Sequence, residues 1–296
     1  MQLNGVEIDD TFAEAFSLWH CRILVTAQTP HWASIVATEL TGNGTSAIAC
    51  DAECGIECTI PITKTPDGRP GVCVQFYAPK KKLPDAMLHR LAMCALTAPT
   101  AAVFDCLKEA PDRVDTGAKL RFFGDGYESE RDLNGRRMVV VPVMCGEFLA
   151  EKEFGIAKGV AGGNFIIMAQ NAAAALNAGE AAVGAIRRVK GAITPFPGGV
   201  CGSGSKVGSK YKFMVASTNE KYCPTLMGKV QTALPAGVNS VTEVVIDGAT
   251  PEAVAKAMRR GVLAATTVPG VIAISAGNFG GKLGEHRFPL HDILKG

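Results

Sequence analysis

One glutamate interrupts an otherwise apolar strand pattern, V-T-E-V-V-I, at Glu243. Val241 and Val245 fall on one face of that segment, and Thr242, Val244 and Ile246 on the other, the pattern of a strand covered on both sides. An ionised carboxylate buried there is costly unless it is paired. Glu243 therefore either meets an arginine or lysine in a structural ion pair or is held partly protonated. A carboxylic acid kept protonated near neutral pH can donate a hydrogen bond to a developing oxyanion or shuttle a proton. The residue alone leaves both alternatives open.

Three glycine-rich stretches stand beside it in the C-terminal half: V-A-G-G-N-F (160–165), P-F-P-G-G-V-C-G-S-G-S-K-V-G-S-K (195–210) and S-A-G-N-F-G-G-K-L-G (275–284). Each could be turn chemistry, since glycine permits positive φ. Three in one half, two of them carrying lysine, point to a single site where backbone approaches a ligand, with N–H and ammonium groups facing an anion. The standard phosphate motifs are missing. Neither lysine-bearing loop satisfies G-x-x-x-x-G-K-[ST], no G-x-G-x-x-G follows a strand, and no G-x-S-x-G elbow is present.

Cys50, Cys54 and Cys58 are spaced four apart in C-D-A-E-C-G-I-E-C, so on a helix they would share a face. Structural zinc sites prefer C-x-x-C pairs, and no second pair or nearby histidine completes a set, so incidental thiols and no metal are expected. Of the five histidines, His89 reads as a partly buried helical imidazole, while His286 and His291 flank a C-terminal strand.

These residues must be positioned by a repeating phrase of strand, amphipathic helix and strand. It occurs at 21–50, 71–105, 164–196 and 240–276, with a helix in each and strands including 45–50, 101–105 and 270–276. Thr250-Pro251-Glu252 marks a helix start. Segments 119–127 and 136–144 read as a long β-hairpin. The expected fold is α+β, with two lobes, 1–150 and 151–296. Each lobe is expected to be a ferredoxin-like split βαβ sandwich with helices on one face of a mainly antiparallel sheet, and the hairpin is inserted in the first.

Composition narrows the functional classes. The net charge of +2 and a pI near 8.0 give no broad footprint for nucleic acid, and Lys80–Lys82 reads as a solvated loop. The polar N-terminus has no signal-peptide pattern, and the apolar 261–277 is broken by Pro269-Gly270, so a soluble cytoplasmic protein with no membrane span is expected. A charged fraction of only 20% suits a chain that buries surface again in subunit contacts.

The phrases T-P-D-G-R-P-G-V (65–72), L-T-A-P-T-A-A-V-F-D (96–105), K-L-R-F-F-G-D-G-Y-E-S-E (119–130), G-V-A-G-G-N-F-I-I-M (159–168), T-P-F-P-G-G-V (194–200), S-K-V-G-S-K (205–210) and I-S-A-G-N-F-G-G-K-L-G (274–284) carry a resemblance over essentially the whole chain. It resembles the formylmethanofuran–tetrahydromethanopterin N-formyltransferases. The resemblance implies reversible transfer of a formyl group between formylmethanofuran, or a methanofuran analogue, and N5 of tetrahydromethanopterin. It implies two polyanionic carrier substrates, no covalently bound cofactor, no metal, and a homotetramer built as a dimer of dimers. It places the family's strand glutamate on Glu243 as the catalytic residue. The substrate-binding candidates are Asn164, Gly198, Gly199, Ser205, Lys206, Ser209, Lys210, Asn278, Gly280, Gly281 and Lys282, with the three lysines as anchors for anionic tails. The slight basicity and high thiol content look more like the version in methylotrophic bacteria, which associates with formyl hydrolase subunits. A non-catalytic carrier-binding subunit of such a complex is the alternative reading, and a formate-releasing hydrolase is disfavoured by the absence of a convincing ligand set for metal-activated water.

Overall fold

Between Pro251 and Ala265 the residues Val254, Ala257, Met258, Gly261, Val262 and Ala265 recur every three or four positions, and all are buried. The helix they form starts where expected. Thr250 is the N-cap, its Oγ1 accepting the Ala253 N–H at 3.2 Å, and Pro251 fills the first turn. A second helix, Ala172–Ile186, is capped in the same way by Asn171. Both lie on one face of a sheet, where Ala178, Ala182, Val183, Met258 and Val262 pack against Phe165, Ile167, Val244, Ile246 and Ile274. The computed structural model describes residues 1–295 and has a mixed α+β architecture, mostly sheet with six helices.

The chain divides into two units, Leu18–Lys158 and Met1–Ser17 together with Gly159–Gly296. The first residues join the C-terminal unit for a hydrogen-bonding reason. Val6–Ile8 runs parallel to Val271–Ser275, and Phe12–Ala15 pairs with His286–Pro289, so the first residues complete the sheet of the C-terminal unit. Within that unit, Ala192–Ile193, Ser240–Gly248, the C-terminal part of Phe154–Ala169, and Val271–Ser275 lie side by side with every neighbour antiparallel.

In the other unit, Glu53–Ile60, Gly71–Ala78, the C-terminal part of Phe12–Thr26, and Ala102–Asp105 form the same kind of antiparallel row. Helices Pro30–Thr41 and Leu83–Arg90 cover one face, burying Val36, Leu40 and Met87 against Ile23, Val25, Val74 and Phe76. Gly146–Glu151, Arg136–Val143 and Ser129–Leu133 extend this sheet.

Several expectations are corrected here. Residues 45–50 form a turn, and the strand begins at Glu53. Residues 119–127 are not a strand: Thr116–Leu120 is an α-turn continued by a tighter helical turn over Arg121–Gly124. Gly117 allows that turn to lie directly on the backbone, since a Cβ there would come within 1.8 Å of the Glu151 carbonyl oxygen. The hairpin is shorter, Ser129–Leu133 with Arg136–Val143, turning at Asn134 and Gly135, both with positive φ. At the end of the third phrase, 164–196, where a closing strand is expected, only Ala192–Ile193 is strand.

The cysteine cluster is not helical either. Cys54 and Cys58 lie on the strand Glu53–Ile60, which bulges between Ile56 and Cys58, and Cys50 sits in the preceding turn. Cys54 packs in the core, and Glu57 accepts hydrogen bonds from Arg22 Nε at 2.6 Å and Gln75 Nε2 at 2.8 Å. Among the described residues no group of three or more His, Cys, Asp or Glu side chains is arranged to hold a metal. His89 is exposed. The buried histidine is His20, stacked on Tyr77, and burial pulls its pKa down to about 4.

Because the Thr250 hydroxyl caps an otherwise unsatisfied N–H, Thr250→Ala is expected to lower stability by about 1 kcal/mol. Urea unfolding should show a lower midpoint at unchanged slope.

Candidate active site

Glu243 stands in the middle of the C-terminal sheet on the face away from the two helices. Its register partner is Ile166, which pairs in turn with Ser275. On its other side the glycine-rich loop is stitched to it directly: the Cys201 and Glu243 N–H groups each donate to the other's carbonyl, at 2.7 and 2.9 Å. The loop thus acts as one more short strand and closes over the carboxyl, leaving Glu243 only 4% exposed.

That carboxyl is lopsided. Ser205 Oγ donates to Oε1 at 2.7 Å, while Oε2 is buried with no hydrogen-bond partner. Among the described residues Glu243 makes no ion pair, so the sequence alternative of a structural salt bridge is removed. Burial raises its pKa above the usual carboxylate range, opposed in part by hydrogen bonds from the Ser205 hydroxyl and backbone N–H. Beside it lies a small concavity lined by Cys201, Gly202, Ser203, Gly204, Tyr222 and Thr242, among others. Such a site can offer a neutral O–H to a polarised carbonyl or a departing nitrogen.

The loop residues fall into distinct roles. Gly198 and Gly199 take φ values of 64° and 90° in a tight turn. A Cβ on Gly199 would collide with Thr194 Oγ1 at 2.6 Å and Val183 at 2.7 Å. Lys206 is not free, because its Nζ donates to both Glu220 oxygens, at 2.7 and 2.6 Å. Ser209 Oγ accepts the Tyr211 N–H at 3.0 Å, and Lys210 is exposed.

The second lysine loop is a cradle that already holds an anion. Phe279 and Gly281 N–H donate to Glu14 Oε2 at 2.7 and 2.9 Å, and Leu283 N–H donates to Oε1 at 2.6 Å together with Gly284 N–H. Burial alone would raise the Glu14 pKa, but these four donors hold it at about 2. Hydrogen bonds to a charged group are worth on the order of 1.5–3 kcal/mol each, so an outside anion would have to displace several at once. Gly280 and Gly281 both sit at φ 71°, which lets the loop curl round the carboxylate, and Lys282 is exposed.

The two asparagines are consumed in shaping the site. Asn164 Oδ1 accepts the Gly277 N–H at 2.6 Å, and its Nδ2 donates to the Gly162 and Gly277 carbonyls. Asn278 Nδ2 donates to Thr11 Oγ1 and the Phe12 carbonyl. V-A-G-G-N-F is not a turn. It is a bulge inside the long strand, between Val160 and Gly163, with Gly162 at φ 90° donating to Asp247.

Glu14, Cys201 and Tyr222 were not among the sequence candidates. Glu14 carries the same signal as Glu243, a lone acid in the apolar segment F-A-E-A-F. Tyr222 comes from 220–240, a segment without regular periodicity, and leaves no such signal.

The fold and site together define an α+β enzyme with a buried acid facing a glycine-lined concavity. The model for formylmethanofuran–tetrahydromethanopterin formyltransferase matches residues 1–143, and the model for the proximal lobe of the same family matches 146–293. The chain is 56% identical to the formylmethanofuran–tetrahydromethanopterin formyltransferase of Methanocaldococcus jannaschii, with 100% of both chains covered. It is 51% identical to the solved formyltransferase of Methanosarcina barkeri at a TM-score of 0.95, covering 99% of this chain and 100% of that one. A further solved structure is the formyltransferase/hydrolase complex of Methylorubrum extorquens with methylofuran, at 44% identity and a TM-score of 0.94, covering 99% and 98%. The chain belongs to the formylmethanofuran–tetrahydromethanopterin formyltransferase family.

Glu14→Gln places an NH2 donor among four N–H donors and is expected to destabilise the protein at neutral pH. The carboxylate's contribution is complete above its ordinary value of 4.5 and is lost as pH falls through about 2. Thermal unfolding of the two proteins across a pH series should therefore show a gap that closes between those values; a gap independent of pH would exclude this role.

Proposed function

We propose that this formyltransferase moves a formyl group reversibly between formylmethanofuran, or a methanofuran analogue, and N5 of tetrahydromethanopterin through a tetrahedral intermediate, with Glu243 as the acid. The observation that carries the reading is the buried carboxyl with one oxygen unpartnered beside a concavity. As the amine attacks the formyl carbon, negative charge develops on the formyl oxygen. A neutral O–H at Glu243 stabilises that charge or delivers its proton to the departing nitrogen, the carboxylate so formed taking up the N–H proton of the attacking amine. The exposed Lys210 and Lys282 are the ammonium groups available for the carriers' anionic tails, and Lys206 shapes the loop through Glu220. Ser209, Asn164, Asn278 and the glycines at 198, 199, 280 and 281 serve this site by setting the backbone that meets the carriers.

The four-stranded antiparallel row in each unit, with helices on one face, supports a ferredoxin-like description of both lobes. The junction of the two family models between 143 and 146 supports a division near residue 150. Assembly as a homotetramer and residence in the cytoplasm belong to the same reading. No helix among the described residues is long and apolar enough to cross a membrane. Association with formyl hydrolase subunits is the second assembly reading, supported by the likeness to the Methylorubrum extorquens complex.

Glu243→Gln is expected to lower turnover at least about tenfold while the fold is kept. Formyl transfer between the two carriers, followed with purified chain, tests this, and unchanged turnover removes Glu243 from the mechanism. The same variant should gain stability. A group whose pKa is raised on folding contributes stability below its unfolded value, and this is lost as pH rises through the folded value. Glutamine does not titrate, so the variant's advantage over wild type in urea should grow with pH.

A further inference from the structure

Resting on the reading of Glu243 as the acid, we propose that Ser205 is its positioning residue. The Ser205 hydroxyl holds Oε1 so that the acidic proton is carried on Oε2. Ser205 Oγ lies 2.7 Å from Oε1, and Oε2 is the oxygen left without a partner. A protonated carboxyl has one O–H. With Oε1 engaged as the acceptor of a hydroxyl donor, the proton belongs on the other oxygen, the arrangement a donor to an oxyanion needs. Without the serine, the carboxyl could rotate about its last bond and present either oxygen.

The surroundings of Ser205 are built to hold that hydroxyl in place. Its successor Lys206 is clamped by both oxygens of Glu220 and pairs in register with Ser217. Its predecessor Gly204 takes φ 77°, and a Cβ there would lie 2.7 Å from Asn219 Cβ, so the loop passes against Asn219 only because residue 204 has no side chain. The Asn219 N–H donates to the Ser203 carbonyl at 3.2 Å, and Cys201 is locked to the Glu243 backbone. Restraints on both sides of Ser205 therefore set the angle from which it meets the carboxyl. Preorganisation of this kind spares the reorganisation of donors during the reaction.

A serine that touches a carrier and a serine that orients the acid give different kinetics. The test compares wild type, Ser205→Ala, Ser205→Thr and Glu243→Gln as purified full chains, measuring kcat, KM for each carrier and the pH dependence of kcat. Ser205→Ala should lower kcat about tenfold, as for misplacement of a catalytic acid, with both KM values within about twofold of wild type. Its alkaline fall in kcat should move to higher pH, because the ionised carboxylate loses a hydrogen bond. Ser205→Thr, which keeps the hydroxyl, should restore most of the rate and the original pH profile. A raised KM with kcat and pH profile unchanged would overturn the proposal and make Ser205 a carrier contact. Full turnover in Glu243→Gln would instead sink the underlying reading of the acid. Slow turnover there with normal Ser205→Ala kinetics would sink the positioning role alone.

Discussion

The organisation of the C-terminal unit turns on a carboxyl buried without a counter-ion. Glu243 could have been avoided at this sheet position, since every neighbour on its strand from Val244 to Ile246 is apolar and buried. Keeping it there obliges the loop 195–210 to come close enough for Cys201 to join the sheet and for Ser205 to reach the carboxyl. The glycines of that loop follow from the same demand. Backbone can lie against Val183, Thr194 and Asn219 only where a side chain is absent, at Gly199 and Gly204. The ion pair of Lys206 with Glu220 then ties the next turn down, and the chain that follows supplies Tyr222 to the same concavity. Burial, glycine content and loop geometry all accompany one feature, a buried carboxyl whose pKa its surroundings push up.

The glycine-rich loops separate into two uses of the same backbone property. Around 195–210 the absent side chains let the chain approach the sheet. Around 277–284 the exposed N–H groups converge on an internal carboxylate. Glu14 occupies the place that an outside phosphate or carboxylate would take, so these amides are already committed. What the loop leaves exposed includes Lys282. A loop of this composition is read from sequence as an anion cradle, and it is one, but the anion comes from fourteen residues into the same chain.

The legible parts of the fold were those governed by local chemistry. Helix Pro251–Ala265 follows from its spacing and its Thr-Pro start, and strands Gly71–Ala78 and Ser240–Gly248 from apolar runs bounded by glycine, proline or aspartate. What failed depended on distant packing. Residues 119–127 are aromatic enough for a strand, yet they become helical turns where Gly117 lies on the Glu151 backbone. Cys54 and Cys58 match a helical spacing, but a bulged strand carries them. At the site, Glu243 stood out because an acid in an apolar strand is a local anomaly. The committed state of Lys206, Asn164 and Asn278 was invisible, since each is decided by a partner far along the chain or across the sheet.

Glu14 and Glu243 show how far environment outweighs residue type. Both are lone acids in apolar strands, both are almost fully buried, and both carry the same desolvation penalty in kind. Four backbone N–H groups meet Glu14, more than enough to favour the charged form, so it is a fixed anion and cannot give up a proton it does not hold. Glu243 receives donors from a single residue, too few to offset burial, and its second oxygen receives none. Donor number and desolvation thus push the two carboxyls in opposite directions, Glu14 down and Glu243 up. Exchanging those roles would require moving the backbone of an entire loop, which is why the glycine-rich segments on which the carboxyls depend are as much part of the chemistry as the carboxyls themselves.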